Sequence, residues 1–372
     1  MSENKKIPVF DIALGAKEKE YIKDCVDTSF IGQGPYVKKL EEKFSDFVDC
    51  KFGITTTSGT TALHLACATL GIKKNDQVLV SSSTNMACPF AIDYCGAIPI
   101  PIDIEKETWQ LDVSKIEEKI NDKTKAIMVV HLFGHPVDMD PVLKIAKKYN
   151  LKIIEDCAEA HGVEYKGKKV GSIGDIGAFS FFANKTITCG EGGMVVTNSP
   201  EIAERAKSLK NLAYGKVNKF MHEDIGFNYR LPNISAALGL GQFENIDNVF
   251  KEKERIYNRY KSNLKDVKGI NIPVIKEWAT KYIMWVFNLY LDKNFPISRD
   301  QLTKKLKEKN IDTRDAFVPI NQQKILVEKY KLFKEDDCPN ANYIMDNGFY
   351  LPSGNTITNA EIDYVCDVIK KI

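Results

Sequence analysis

Lys185 ends a nearly continuous apolar stretch of the sequence, residues 179–184 (FSFFAN), and a glycine-rich stretch, residues 190–193 (GEGG), follows it. A partly desolvated ammonium loses its proton more readily, and the neutral amine is the form that attacks an aldehyde to make a Schiff base. The alternative is a lysine that extends its charge into solvent at the end of a strand. Lys185 is therefore a candidate nucleophile whose role depends on its neighbours in the fold.

Carboxylates end another hydrophobic stretch, where Ile153 and Ile154 are followed by Glu155 and Asp156. A carboxylate such as Asp156 below a pyridine ring would keep the ring nitrogen protonated, so that the ring can accept electrons from a neighbouring carbanion. The alternative role for Asp156 is a helix cap. Glu159, three residues further, can hydrogen-bond a ring hydroxyl or point to solvent.

Residues 55–66 (TTTSGTTALHLA) place hydroxyl side chains around one glycine, immediately before an apolar, helix-like run. Helix N-terminal amides and flanking hydroxyls satisfy phosphate oxygens, and glycine permits a close approach of the backbone. Ser58, Gly59 and Thr60 are thus candidate phosphate ligands, with Ser180 as a further hydroxyl. The alternative is a well-provided N-cap without a ligand.

An amide and a guanidinium, Asn228 and Arg230, lie in residues 226–231 (GFNYRL), just before a long helical pattern. Both side chains can reach an anion. The alternative is a plain entry into the helix.

The histidines and cysteines show no metal-binding pattern. The five histidines have no metal-ligand spacing with one another, and the nine cysteines form no CxxC pair and are odd in number. These features disfavour a disulfide framework and a zinc knuckle. The sequence therefore predicts no metal site and reduced thiols, as in the cytoplasm.

The composition of the 372 residues is that of an ordinary soluble protein, with 44% hydrophobic and 27% charged residues and a formal net charge of +2. The charge balance gives no reason to expect a nucleic acid partner. No apolar run approaches the roughly 20 residues that a bilayer-spanning helix needs, so no membrane association is expected. The length favours two domains.

Short stretches rich in Val and Ile alternate with helix-like segments between residues 54 and 200. The predicted strands are 77–80, 98–102, 126–132, 151–154, 178–182 and 194–197. Intervening segments such as 61–70 and 141–149 carry apolar residues three and four apart, as crossover helices do. This alternation predicts an α/β fold with a large, mainly parallel sheet and functional residues at the carboxyl ends of its strands.

A long helical pattern covers residues 231–264 and separates this region from the rest of the chain. Beyond it, residues 284–291 are strand-like, and residues 298–309 and 358–371 are helix-like. The sequence therefore predicts a large α/β domain over residues 1–245, followed over residues 246–372 by connecting helices and a smaller α+β domain.

Five segments, in order along the chain, resemble the fold-type-I aminotransferases that act on nucleotide-linked keto sugars, the family known as DegT/StrS. They are SGTTALHLA, KAIMVVHLFGHPVDMD, IIEDCAEAHG, GDIGAFSFFANKTITCGEGGMVVTN and IGFNYRLPNISAALGLGQ. The resemblance covers essentially the whole chain and implies an aspartate aminotransferase-like fold with pyridoxal 5'-phosphate (PLP) as cofactor. Within the family, the chain is most similar to the perosamine synthases, which aminate C4 of a GDP-linked 4-keto-6-deoxy sugar.

The resemblance also implies a role for each candidate residue. Lys185 would hold PLP as a Schiff base, Asp156 would face the pyridinium nitrogen, and Glu159 would lie near the ring hydroxyl. Further cofactor contacts are implied for Ser58, Gly59, Thr60, Asn85, Ser180 and Asn228. Substrate contacts are implied for Tyr214, Arg230, Arg314 and Asn321.

A reaction and an assembly follow from the same resemblance. An amino group would pass from L-glutamate or glutamine, through pyridoxamine 5'-phosphate, to a nucleotide-linked 4-keto-6-deoxy sugar used in surface polysaccharide biosynthesis. Asn228 would come from the second subunit of a homodimer, so that each active site is composite.

Two positions depart from the family pattern. Relatives usually have an aromatic residue, stacked on the cofactor ring, at the position of Asn85, and many have histidine at the position of Asn321. Because Asn321 borders the expected substrate position, a smaller phosphorylated ketone such as a triose phosphate is an alternative substrate. A deoxysugar dehydratase, which typically carries histidine in place of Lys185, and a non-catalytic binding or regulatory protein are further alternatives.

Overall fold

A computed structural model describes residues 6–222, 224–331 and 333–372. The helices are α1 (Ala16–Asp27), α2 (Pro35–Phe47), α3 (Gly59–Thr69), α4 (Ala87–Tyr94), α5 (Met139–Tyr149), α6 (Pro200–Lys210), α7 (Asn233–Phe243), α8 (Ile246–Leu264), α9 (Arg299–Glu308), α10 (Lys324–Tyr330), α11 (Pro339–Asn347) and α12 (Asn359–Lys370). The strands are β1 (Phe52–Thr56), β2 (Gln77–Ser81), β3 (Ile98–Ile102), β4 (Thr124–Val130), β5 (Lys152–Asp156), β6 (Glu164–Tyr165), β7 (Lys168–Lys169), β8 (Ile176–Ser180), β9 (Gly193–Thr197), β10 (Ile270–Asn271), β11 (Ala279–Lys281), β12 (Phe287–Leu291), β13 (Arg314–Asp315) and β14 (Gly348–Leu351).

The main sheet has seven strands in the order β1-β9-β8-β5-β4-β2-β3. The pairs β8-β5, β5-β4, β4-β2 and β2-β3 are parallel, and only β9 runs antiparallel to its two neighbours. Strands β1, β5 and β8 therefore point the same way, and their carboxyl ends meet at one edge of the sheet. Parallel sheets of this kind carry their sites at that edge.

Apolar side chains fill both faces of the main sheet, as expected for strands covered by helices on each side. One buried cluster includes Phe44 of α2 and Phe179 of β8, and the other includes Leu65 of α3 and Val80 of β2. The two clusters hold the strand ends rigidly in place. The sheet therefore sets the positions of Asp156 and Ser180, the last residues of β5 and β8.

The C-terminal region has a core of its own. Strands β10, β12, β14 and β13 form a four-stranded antiparallel sheet, and β11, β6 and β7 form a separate three-stranded one. Side chains of α8, α9 and α12 pack with those of β12 and β14 in a third buried cluster. The first turns of α8 instead pack on the main core through Ile246 and Phe250. Among the described residues, no helix is both long and apolar enough to cross a membrane.

The fold predicted from the sequence is confirmed, with local differences. Each of the six predicted strands of the main sheet is present within two or three residues. Strand β1 is an additional strand, and only its last two residues, Thr55 and Thr56, belong to the predicted phosphate loop. The predicted strand over residues 284–291 begins only at Phe287, and Trp285 before it donates from its indole Nε1 to the Asn184 carbonyl. The division at residues 245 and 246 stays a prediction.

Candidate active site

A cavity of about 320 Å³ opens at the carboxyl edge of the main sheet. The predicted cofactor residues that line it are Ser58, Gly59, Thr60, Asn85, Asp156, Glu159, Ser180 and Lys185. They come from four separate segments of the chain, residues 58–60, 85, 156–159 and 180–185, which the fold brings together. The structure therefore brings these residues, which the sequence singled out one by one, into one cavity.

One end of the cavity is the N-terminus of α3. The Ser58 hydroxyl caps the helix by accepting a hydrogen bond from the Thr61 amide at 3.2 Å. The amides of Gly59 and Thr60 belong to the first turn, where backbone N–H groups have no acceptor within the helix. A Cβ on Gly59 would lie 2.7 Å from the Cβ of Ser180, so only glycine leaves this corner open. Amides, hydroxyls and the positive end of the helix dipole together form a phosphate-sized anion site.

The carboxylate of Asp156 lies at the end of β5 and is buried. Its Oδ1 accepts a hydrogen bond from the Ala158 amide at 2.9 Å, and its Oδ2 lies 2.9 Å from Sγ of Cys88. These contacts fix the orientation of the carboxylate at the wall of the cavity. A carboxylate so held can accept a hydrogen bond from a protonated ring nitrogen.

Lys185 and Glu159 form a largely buried ion pair that lines the cavity. Nζ of Lys185 lies 3.3 Å from Oε1 of Glu159, and their side chains are only 11% and 6% exposed. Oε2 of Glu159 accepts a hydrogen bond from the Phe133 amide at 3.0 Å. Burial raises the pKa of Glu159 above its usual value, although the Lys185 ammonium and the Phe133 amide act in the opposite direction.

Trp285 covers Lys185 from the C-terminal region of the chain. Nζ of Lys185 lies 3.8 Å from the centroid of the indole ring, and the indole Nε1–H donates to the Asn184 carbonyl at 2.8 Å. Phe317 and Tyr350 continue this aromatic wall of the cavity. Sequence reasoning missed these three residues, because neither residue type nor spacing distinguishes an aromatic side chain that lines a cavity from one that packs in the core.

The cavity fits PLP at three separated points. The N-terminus of α3 can bind its phosphate, Asp156 can face its ring nitrogen, and Lys185 can reach its aldehyde carbon. Glu159 is close enough to Lys185 to meet a ring hydroxyl beside that carbon. The donor set is therefore that of a PLP site, with its groups at the phosphate, nitrogen and aldehyde ends of the molecule.

Asn85 also lines the cavity. Its Oδ1 accepts a hydrogen bond from the Ala87 amide at 2.9 Å, which ties the side chain to the start of α4. An amide in this place offers no aromatic face to a ring. Asn85, at a position where relatives usually have an aromatic residue, therefore lies in the wall of the cavity.

Three predicted residues near the 211–230 segment do not line the cavity of the single chain. Asn228 is exposed and pairs through its backbone with Asn211. Arg230 donates to Oδ1 of Asn211 at 2.8 Å. The ring of Tyr214 lies 5.3 Å from that of His222.

Two further predicted substrate residues also lie outside this cavity. Arg314 is exposed and lines a different surface pocket beside α9. Asn321 is buried, and its Nδ2 donates to the Lys334 carbonyl at 3.3 Å. Their assignment to the substrate stays a prediction.

A buried group of potential metal ligands, His131, Glu155 and Cys157, lies behind the strand ends. His131 Nδ1 accepts from the Val137 amide at 3.1 Å, so Nε2 carries the proton and donates to Oε2 of Glu155 at 3.0 Å. Glu155 also accepts from the amides of residues 171, 173 and 174. Protein donors take up these acceptor atoms, and the group is a structural hydrogen-bond network.

Comparisons with known proteins agree with this geometry. A model of the DegT/DnrJ/EryC1/StrS aminotransferase family matches residues 13–370. The GDP-perosamine synthase of Escherichia coli O157:H7 is 41% identical over 368 residues, which are 99% of this chain and 98% of that protein. The GDP-perosamine synthase of Vibrio cholerae is 37% identical over 366 residues, 98% of each chain. The solved structure of S. venezuelae DesV in complex with a ketimine intermediate has a TM-score of 0.92 at 30% identity and covers 99% of this chain and 98% of its own.

Proposed function

The chain belongs to the DegT/DnrJ/EryC1/StrS aminotransferase family, and from this premise we propose that it transfers an amino group to the keto carbon of a nucleotide-linked 4-keto-6-deoxy sugar. It is a PLP-dependent aminotransferase. The observation that carries the proposal is the convergence of Lys185, Asp156 and the N-terminus of α3 on one cavity.

When bound, PLP supplies a ring that accepts electrons from the carbon next to the reacting nitrogen. Lys185 would hold the cofactor through Nζ, and its free amine would accept and return a proton at the same atom. Glu159, 3.3 Å away, holds the ammonium of Lys185 while it carries that proton. Asp156 would hold the ring nitrogen, and the aromatic wall of Trp285, Phe317 and Tyr350 would limit the access of water to the cofactor.

The amino donor and the carrier are part of the proposal. L-glutamate or glutamine would supply the amino group, which would be held as pyridoxamine 5'-phosphate between the two halves of the reaction. Absorbance separates the halves, because the band of the lysine-bound cofactor should bleach when the donor is added and return when an accepted keto substrate follows.

The test of the catalytic assignment is Lys185→Ala, with Lys169→Ala as the control. Lys169 forms an ion pair with Glu164 on the β6–β7 hairpin and does not line the cavity. The Lys185 variant should lose turnover and the absorption band of the lysine-bound cofactor, while the control keeps both. Full activity in Lys185→Ala would refute the assignment.

The nature of the keto substrate rests on the similar proteins named GDP-perosamine synthase, at 41% and 37% identity over nearly the whole chain. The donor-reduced enzyme should therefore recover its band with GDP-4-keto-6-deoxymannose. Three-carbon keto phosphates provide the contrasting panel. Recovery with those alone would contradict the sugar assignment and leave the aminotransferase assignment intact.

We also propose a homodimer in which Asn228 completes the cofactor site of the other subunit. Asn228 is exposed at the surface of the single chain and outside its cavity, as a residue offered to a partner would be. Mixing unfolded Lys185→Ala and Asn228→Ala chains and refolding them together should give dimers with one intact site. Activity above that of either variant alone would support the composite site, and its absence in verified mixed dimers would contradict it.

The cellular setting completes the proposal. All nine cysteines are free thiols, and eight of them are buried, which suits the reducing environment of the cytoplasm. An amino sugar made there on a nucleotide carrier would enter surface polysaccharide biosynthesis.

A further inference from the structure

The Cys88 thiol is in direct contact with the carboxylate at the cavity wall. Cys88 lies in the first turn of α4, is fully buried, and places Sγ 2.9 Å from Oδ2 of Asp156. On its other side, Sγ lies 3.2 Å from the hydroxyl of Thr84, which lines the cavity. Hydroxyl, thiol and carboxylate thus form a continuous chain of three polar groups.

The direction of the hydrogen bonds follows from the chemistry of the three groups. A carboxylate has only acceptor atoms, so the single proton of the thiol must point to Asp156. The sulfur then accepts from the Thr84 hydroxyl. Burial, together with the negative charge of Asp156, raises the pKa of Cys88 well above its usual value, so the thiol keeps its proton.

The orientation of the Asp156 carboxylate depends on both of its oxygens. Oδ1 is held by the Ala158 amide at 2.9 Å, which comes from the chain that follows β5. Oδ2 is held by Cys88, which comes from α4, the helix that connects β2 to β3. One hydrogen bond to each oxygen fixes the plane of the carboxylate before any ligand binds. Each oxygen keeps a second lone pair for the ring nitrogen.

We propose that Cys88 is a positioning residue for the cofactor, whose S–H group orients Asp156 toward the protonated ring nitrogen of PLP. This inference rests on the proposed role of Asp156. A hydrogen bond to an ionised group in a buried site is stronger than one between neutral groups. Removing the donor is costly, because it leaves the buried charged acceptor without a partner. Cys88 therefore acts on cofactor binding through Asp156, without touching the substrate.

The test compares three substitutions of Cys88. Cys88→Ser keeps a hydrogen-bond donor, Cys88→Val keeps a similar volume without a donor, and Cys88→Ala removes both. Cys366→Ala is the control, because Cys366 is equally buried but packs in the C-terminal cluster and does not line the cavity. The measurements are the affinity of the cofactor-free protein for PLP and the pH dependence of the bound cofactor's absorption.

Loss of one hydrogen bond to a charged group should weaken PLP binding about tenfold or more in Cys88→Val and Cys88→Ala. Their absorption should also change with pH differently from that of the parent. Cys88→Ser should bind PLP within about threefold of the parent, and Cys366→Ala should match it. If Cys88 only filled space, Cys88→Val should bind PLP more tightly than Cys88→Ser. That result would overturn the proposal.

A second measurement does not use the cofactor. The S–H stretching band of Cys88 in the cofactor-free protein, assigned by its loss in Cys88→Ser, should shift to higher frequency in Asp156→Asn, because the acceptor is then neutral. An unshifted band would overturn the contact between the thiol and the carboxylate. If the band shifts but the parent binds no PLP, the contact between the thiol and the carboxylate is real, but the proposed function is wrong. The proposed role of Cys88 in cofactor binding is then wrong as well.

Discussion

Nζ of Lys185 lies 3.8 Å from the centroid of the Trp285 ring, although the two residues belong to different halves of the chain. A cation over an indole face is stabilised by about 0.5–2 kcal/mol, with the larger values where water is excluded. The indole is itself fixed by the hydrogen bond from its Nε1 to the Asn184 carbonyl. The position of the Lys185 side chain is therefore coupled to that of the Trp285 indole.

Replacing Trp285 should mainly lower kcat and should have a smaller effect on the stability of the fold. Trp285→Leu removes the aromatic face and the N–H donor, and kcat should fall about tenfold or more because the ammonium loses a stabilising contact of this size and water gains access. Trp285→Phe keeps a face and should fall between the leucine variant and the parent. Steady-state kinetics with both substrates would measure the effect.

Trp278→Phe is the control for Trp285. Its indole Nε1 also donates to a backbone carbonyl, that of Pro136, but the residue does not line the cavity. Equal losses in Trp278→Phe and Trp285→Phe would assign the effect to general packing.

Gly59→Ala should weaken binding of PLP. The added Cβ would lie 2.7 Å from the Cβ of Ser180, so the corner between α3 and β8 would have to widen or its phosphate site close. We expect an increase in the dissociation constant for PLP of about tenfold or more, by loss of about one phosphate hydrogen bond. Gly32→Ala is the matched control, because a Cβ there has no atom within 4 Å. Similar affinities in the two variants would contradict the assignment of the phosphate site.

The sequence predicted the cavity residues that carry distinctive chemistry. Lys185 and Asp156 each follow a strand of strong apolar pattern, and Ser58–Thr60 precede an apolar helix. Parallel strands gather their carboxyl ends at one edge of the sheet. Local pattern and global position therefore agree for these residues.

The residues that the sequence did not predict act through tertiary contacts. Trp285 lies in a strand-like stretch, and only its distance from Lys185 reveals its place. Cys88 resembles any buried cysteine until its contact with Asp156 is seen. Strand β1 was hidden because its threonines, which favour strands, also resemble a phosphate loop. Neither periodicity nor residue type encodes such contacts.

Glu155→Gln should destabilise the protein strongly. One Glu155 oxygen accepts from the amides of Ile173 and Gly174, and the other accepts from the Gly171 amide and His131. The amide group of glutamine would set its N–H donors against protein donors at one of these places. The free energy of unfolding should fall by about 3 kcal/mol or more, since hydrogen bonds to a charged group contribute about 1.5–3 kcal/mol each.

Chemical unfolding of Glu117→Gln provides the comparison for Glu155→Gln. Glu117 pairs with Lys148 at the surface, where its side chain is 47% exposed. Its replacement should leave the free energy of unfolding nearly unchanged, because water screens an exposed ion pair. A change of the same size at both positions would contradict the buried network.

Lys253→Met should remove a rise of stability with pH. Lys253 is fully buried, and its Nζ donates to the carbonyls of Trp285 at 3.0 Å and Ser353 at 2.7 Å. Burial lowers the pKa of Lys253 from 10.5 to about 8, although the charge of Asp11 opposes the shift. Between these two pH values the unfolded chain binds more protons at this position than the folded chain does. The stabilising contribution is therefore complete above pH 10.5 and is lost as the pH falls through about 8.

The magnitude follows from the size of the shift, since one pKa unit corresponds to about 1.4 kcal/mol. The free energy of unfolding of the parent, minus that of Lys253→Met, should increase by about 3 kcal/mol between about pH 8 and pH 10.5. Taking the difference cancels the titration of the other lysines and tyrosines, which both proteins share. Lys251→Met, at an exposed position on the same helix, should show no such increase relative to the parent. A difference that stays constant with pH for Lys253→Met would mean that the ammonium is hydrated in the folded protein, and that Trp285 is held in place over Lys185 by other contacts.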